Sequence, residues 1–141
     1  MSARKLKRAM SDADDELPPA ADDLGTQIAQ AFIAGRLADV HGMGTSGFRD
    51  RTRREQFEQS WRQAVERQGG TLTSFEISNA GAIDLGFIPG LEEVPQSQFV
   101  AFVEIVFSTP SHPLDDENAF TIGAVMLDEG QGARLGALHA R

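Results

Sequence analysis

The stretch that decides the fold is residues 29–70, AQAFIAGRLADVHGMGTSGFRDRTRREQFEQSWRQAVERQGG. Apolar side chains recur at helical spacing near its start, at Ala29, Phe32 and Ile33, and Ile28 directly before the stretch continues the same pattern. Thr26 is a residue type that caps helix starts, and Gly35 is a type that ends helices. We therefore expect a first helix from Thr26 to Gly35, with one face committed to a core.

A second, longer helix is predicted within the segment REQFEQSWRQAVERQGG, residues 54–70. Thr52 and Glu55 have the spacing of a capping box, in which a hydroxyl and a carboxylate each bind an otherwise unpaired backbone N–H group. Apolar side chains then recur on one face: Phe57, Trp61, Ala64 and Val65. Two glycines at 69 and 70 end the pattern. We expect this amphipathic helix to pack on a flat surface, which the rest of the chain must supply.

The remainder of the chain has the residue pattern of β-strands. Strands are predicted at residues 71–78, 82–88, 97–108, 120–127 and 133–139. Short turns join them at residues 79–81 and 128–132, and longer loops lie between the others. Because consecutive strands joined by hairpin turns form an antiparallel sheet, the predicted class is α+β, with helices packed on that sheet.

The strand at residues 99–107 is apolar on both of its faces. One face carries Phe99, Ala101, Val103, Ile105 and Phe107, and the other carries Val100, Phe102 and Val106. A strand of this kind is expected to be central and covered on both sides. The helices supply one cover, and a second copy of the chain is the candidate for the other, which predicts a homodimer through the sheet.

Residues 1–24 differ in composition from the rest of the chain. Four basic residues, Arg4, Lys5, Lys7 and Arg8, are followed by six acidic ones, without an apolar period. Such a segment buries too little apolar surface to offset the entropy lost on ordering. We expect residues 1–24 to form a disordered charged tail and residues 25–141 to form one domain.

The charge of the chain is unevenly placed as well as negative, with a formal net value of −8. Six arginines lie between residues 49 and 67, whereas residues 68–133 contain neither lysine nor arginine. Either the molecule has a basic and an acidic side, which favours an oriented partner, or these are ordinary solvated faces. A net acidic body without aromatic side chains among its arginines disfavours nucleic-acid binding.

Membrane insertion, secretion and thiol chemistry are also disfavoured. No run approaches the roughly 18 apolar residues that a membrane span needs, and the basic N-terminus lacks the apolar segment of a secretory signal. The chain contains no cysteine, which leaves no disulfide framework and no thiol nucleophile. These features favour a cytoplasmic location.

The order of the elements resembles the nuclear transport factor 2-like superfamily, and more narrowly its bacterial, uncharacterised, cystatin-like branch. The resemblance is carried by the alanine-rich helix with its glycine end, the ADV turn, the F-x-x-x-W helix, the double glycine and the final hairpin DEGQGARLGAL at residues 128–138. It covers about residues 24–140. It implies a cone in which helices lie across a strongly curved antiparallel sheet, often dimeric through that sheet. It leaves function open, because the superfamily contains isomerases, dehydratases, polyketide cyclases, transport factors and binding domains.

Enzymatic members of that superfamily usually act through an Asp paired with a His, or with a Tyr that donates to an oxyanion. This chain has no tyrosine. Glu104 is the strongest acid–base candidate, because it interrupts an apolar strand where its carboxyl group would be desolvated. It would serve as a general base or a ligand anchor, or else pair with an arginine. Asp84 and His41 are weaker: we expect Asp84 to face solvent, and His41 to be exposed in the turn after the first helix, near the lip of a pocket.

A pocket inside the cone would be lined by apolar side chains. The candidate ligand-binding residues are Phe32, Phe57, Trp61, Phe102, Glu104 and Met126. The alternative is that the apolar members of this set simply fill the core. His112 lies beside Asp115, Asp116 and Glu117, but their spacing fits no metal motif and is typical of a solvated turn. We therefore expect no metal and no cofactor.

Two classes of function follow from these features. The first is a non-catalytic domain that binds a small apolar ligand or a partner protein, which is favoured by the missing tyrosine and by the lack of an evident acid–base pair. The alternative is a small isomerase-, dehydratase- or cyclase-like enzyme that acts on an apolar substrate in the cone. That enzyme would use Glu104 together with His41 or Asp84.

Overall fold

The computed structural model describes residues 16–140, in which four helices precede a four-stranded sheet. The helices are α1 (Pro19–Ala34), α2 (Leu37–Gly42), α3 (Ser46–Arg51) and α4 (Arg54–Arg67). The strands are β1 (Ser74–Gly81), β2 (Phe99–Ser108), β3 (Phe120–Asp128) and β4 (Ala133–Ala140). All neighbouring strands are antiparallel and follow chain order, β1-β2-β3-β4. The predicted α+β class with an antiparallel sheet is confirmed.

Helix α1 packs directly on the sheet and ends where the sequence predicts. Gly35 has a φ of 75°, its N–H group donates to the carbonyl of Phe32 at 3.1 Å, and the N–H group of Arg36 donates to Ala31 at 2.8 Å. This geometry satisfies two of the last helical carbonyl groups. The predicted start at Thr26 is wrong, because the helix begins at Pro19, whose fixed φ suits a first helical position.

The earlier start of α1 extends its buried face by two turns, with Ala21 and Leu24 both in the core. Residues 19–24, assigned to the tail from the sequence, are therefore helical. Residues 1–15 lie outside the described part of the chain, and a disordered tail there stays a prediction.

The capping box predicted for the second long helix is wrong. Thr52 ends the preceding helix instead, with its N–H group donating to the carbonyl of Phe48 at 3.1 Å, and α4 starts at Arg54 without a side-chain cap. Helix α3 was not predicted from the sequence; its N-cap is the hydroxyl of Thr45, which accepts a hydrogen bond from the N–H group of Phe48. The apolar face of α4 does turn toward the core: Phe57 is buried, and Trp61 meets Phe32 edge-on with ring centroids 5.4 Å apart.

The sheet has four strands rather than the five predicted. Residues 79–81 do not form a hairpin; they continue β1 through a bulge in which the N–H group of Gly81 donates to the side-chain oxygen of Asn79 at 2.9 Å. Residues 82–98, including the predicted strand 82–88, form a long loop with two short 3-10 turns, Leu85–Phe87 and Gln96–Gln98. This loop folds back because Leu85 and Leu91 are buried against β3.

The two faces of the sheet are covered differently. The helix face, which packs against the helical layer, includes Val103, Ile105 and Phe107 of β2, all fully buried. The opposite face, called the second face below, is covered in part by residues 82–98, which pack on Val125 and Leu127. The chain's own loop thus supplies part of the cover that the sequence analysis assigned to a second copy.

Strand β2 lies inside the sheet, as predicted, but its alternation is interrupted. A bulge between Phe99 and Ala101 displaces Val100, which packs with the helix-side core and not on the face of Phe102 and Glu104. The sheet is open, since β1 and β4 are its two edges. None of the described helices is long and apolar enough to cross a membrane.

Candidate functional site

The residues predicted to line one pocket lie on two faces of the sheet. Phe32, Phe57, Trp61 and Met126 belong to the helix-side core, where the ring of Trp61 also lies 6.2 Å from that of Phe57. Phe102 and Glu104 lie on the second face, as their register with β3 requires. The structure therefore does not bring the six residues together around one ligand.

The three acid–base candidates lie in different elements: His41 in α2, Asp84 in the loop after β1, and Glu104 in β2. His41 lies in α2 and is 8% exposed, with Nε2 2.5 Å from the carbonyl oxygen of Thr52. The expectation of an exposed turn histidine is wrong, because its ring fills the space beside Phe48 and Phe57. Asp84 is exposed, and its Oδ1 accepts a hydrogen bond from the backbone N–H group of Gly86 at 2.9 Å, which makes it a turn residue.

The acidic loop around His112 is held together internally. Nδ1 of His112 lies 3.0 Å from Oδ2 of Asp116, and Oδ1 of Asp116 accepts the backbone N–H group of Asn118 at 2.8 Å. These two contacts, the backbone one first, hold the pKa of Asp116 below its ordinary value of 3.8. Within residues 16–140, no three His, Asp or Glu side chains are grouped in a way that would hold a metal ion.

Glu104 belongs to a row of residues that crosses all four strands. Ser78 on β1 pairs with Glu104, Glu104 pairs with Gly123 on β3, and Gly123 pairs with His139 on β4. Directly opposed residues of antiparallel strands point to the same face. The row therefore presents a carboxylate and an imidazole on the second face, separated by a residue that has no side chain.

The missing side chain at Gly123 makes room for two rings. A Cβ atom at this position would lie 2.7 Å from Cε1 and 2.8 Å from Nε2 of His139, and 3.2 Å from Cε1 of Phe102. The rings of Phe102 and His139 are stacked, with centroids 5.9 Å apart and planes 22° from parallel. Phe102 is half-buried and packs on the cluster formed by Leu85, Leu91, Val125 and Leu127, whereas His139 is exposed. Phe102, Glu104, Gly123 and His139 form what we call the Gly123 patch.

The Gly123 patch combines three kinds of contact. The paired rings offer a flat apolar surface, the imidazole donates or accepts hydrogen bonds, and the carboxylate of Glu104 accepts them. His139 was not among the sequence candidates. The signal that could have indicated it is Gly123 itself, because a glycine inside a strand often marks a close approach of other groups. The register needed to select His139 as the neighbour is not readable from the sequence alone.

No protein-family model, curated protein or solved structure matches this chain. The resemblance to the nuclear transport factor 2-like superfamily thus rests on the order and type of the elements, and membership stays a prediction.

Proposed function

We propose that this protein is a non-catalytic binding domain that receives its partner on the second face of the sheet, at the Gly123 patch. The observation that carries the proposal is the stacked pair of Phe102 and His139 over Gly123, with Glu104 in the same row. Aromatic surfaces with a polar edge are enriched at protein interfaces, because one group supplies both apolar area and hydrogen bonds.

The distribution of the acid–base candidates supports binding over catalysis. A general acid or base has to lie within hydrogen-bond reach of the reacting group together with its partner. His41 is engaged with Thr52 in the helical layer, Asp84 is engaged with Gly86 in the loop, and Glu104 is on the second face. His41 and Glu104 thus lie on opposite sides of the sheet, and the carboxylate of Asp84 is used within its own turn.

A second copy of the chain is the proposed partner. On the second face, β2 presents the half-buried side chains of Phe102 and Glu104, next to the region of β3 on which the chain's own loop packs. We include in this proposal the strongly curved, cone-like sheet of the nuclear transport factor 2-like superfamily. The proposed dimer forms through that sheet, as is frequent in the superfamily. Apolar patches left on a sheet face favour association when shape and polar edges match.

The oligomeric mass tests this proposal. The full chain should be measured by light scattering and native mass spectrometry, alongside Phe102→Ala and Gly123→Ala. Gly123→Ala removes no group but would push the His139 ring away, since its new Cβ falls within 2.8 Å of that ring. The matched control is Phe87→Ala, because Phe87 is 84% exposed in the loop and outside the patch. We expect the parent and Phe87→Ala to dimerise and both patch variants to be monomeric; a monomeric parent would overturn the dimer.

One observation favours the enzymatic alternative in a modified form. Glu104 shares its row with His139, so the isomerase- or dehydratase-like function would pair these two groups around an apolar substrate on the Gly123 patch. The same mass spectra separate the alternatives when the protein is purified from its own cells. A monomer that retains a small molecule, and loses it in Phe102→Ala, would favour a ligand or substrate; a dimer without added mass would favour the binding domain.

A further inference from the structure

Away from the second face, the helical layer contains a cleft lined by positive charge. It has a volume of about 430 Å³ and lies where α2, α3 and the start of α4 meet. Its lining residues are Ala38, His41, Gly42, Arg49, Arg53, Arg54 and Glu55. Three of these seven residues are arginines, although the chain as a whole carries a net charge of −8.

The guanidinium groups of this cleft are poorly neutralised by the protein. Among residues 16–140, no carboxylate lies within ion-pairing distance of Arg49 or Arg53. Arg54 has only a long contact, 3.8 Å from its Nε to Oε1 of Glu58. Glu55 also lines the cleft, so the local balance is three positive charges against one negative charge. Like charges gathered in one concave site attract counter-ions.

His41 lines the cleft, and one of its two ring nitrogens is held by the backbone. The carbonyl oxygen of Thr52 can only accept a hydrogen bond, so Nε2 of His41 must carry the proton. The ring is 8% exposed and is held beside Phe48 and Phe57, at centroid distances of 5.9 and 5.7 Å. Nδ1 makes no hydrogen bond within the described part of the chain. This nitrogen can therefore accept a hydrogen bond from an O–H group of a ligand.

The first turn of α4 adds donors of a second kind. Arg53 precedes the helix without a side-chain cap, so the first N–H groups of this 14-residue helix have no side chain satisfying them. These groups and the helix dipole favour an anion at this end. They reinforce the arginines and His41, on which the inference rests.

We infer that this cleft binds a phosphoryl group, either as inorganic phosphate or as the phosphate ester of a larger ligand. A phosphoryl group has a double negative charge and several oxygens, which suit several guanidinium forks better than a single carboxylate does. Inorganic monohydrogen phosphate combines this double charge with an O–H group, which can donate a hydrogen bond to Nδ1 of His41. The site is on the helix side, opposite the Gly123 patch, so it does not depend on the proposed binding partner.

Titration of the full chain with inorganic phosphate tests the inference. Amide chemical shifts and the thermal midpoint should be followed against sodium chloride at equal ionic strength. We expect saturable shifts confined to residues 38–57, and an affinity about tenfold weaker in Arg53→Ala and in Arg49→Ala. The matched control is Arg67→Ala, because Arg67 lies in the last turn of the same helix and outside the cleft. All three side chains are exposed, so the variants should fold.

Several outcomes would overturn the inference. One is that chloride stabilises the protein as much as phosphate does. Another is that the amide shifts are spread over all arginines, and a third is that Arg67→Ala loses as much affinity for phosphate as the two cleft variants. A phosphate ester and inorganic phosphate are distinguished by repeating the titration with phosphoserine and with serine. Tighter binding of phosphoserine would indicate the ester, and equal binding would indicate the bare anion, while binding of serine would contradict the phosphoryl assignment.

Discussion

At the scale of single residues, Asp116 gives a pH dependence whose sign can be worked out. The backbone N–H group of Asn118 and then the ring of His112 hold its pKa below 3.8 in the folded chain. A group with a lowered folded pKa stabilises the fold above its unfolded pKa, and this contribution is lost as the pH falls toward the folded value. We therefore expect the parent to exceed Asp116→Asn in thermal midpoint at pH 5–7, and the difference to shrink below about pH 4. A difference that grew on acidification would contradict this origin.

At the scale of elements, Arg51 joins α3 to the long loop and to β4. It donates to the carbonyl of Gly136 at 2.9 Å, and its Nε lies 2.6 Å from where a Cβ atom on Gly90 would be. Gly90→Ala should therefore cost the strain of a positive φ, about 1–2 kcal/mol, and also displace Arg51, about 1 kcal/mol more. Gly130→Ala is the control, because it has a positive φ of 109° but nothing within 4 Å. In urea unfolding, Gly90→Ala should lose more free energy of unfolding than Gly130→Ala does. This difference should disappear when both glycine variants are compared in an Arg51→Ala background.

The elements also show why some parts of the fold were predictable and others were not. The end of α1 at Gly35 and the apolar face of α4 depend on local spacing, which the sequence displays directly. The loop at residues 82–98 depends on burial of Leu85 and Leu91 against β3, a contact between distant segments. Its alternating residues imitate a strand, and the tertiary contact overrides that preference. Likewise Glu104 was found from the pattern of its own strand, but His139 required the register of three strands.

At the scale of the whole molecule, the sheet has a core on each side, and the two should unfold together. Trp61, the one tryptophan of the chain, packs against the helix-side core, whereas Leu91 is 1% exposed in the cluster on the second face. Both clusters share β2 and β3, so removing side chains from one should weaken the sheet that supports the other. Leu91→Ala leaves a cavity and should cost about 2–5 kcal/mol. The urea midpoints measured by Trp61 fluorescence and by far-ultraviolet circular dichroism should then fall by the same amount, as expected for one cooperative transition. A parent-like Trp61 transition in this variant would mean that the loop unfolds separately from the helical layer.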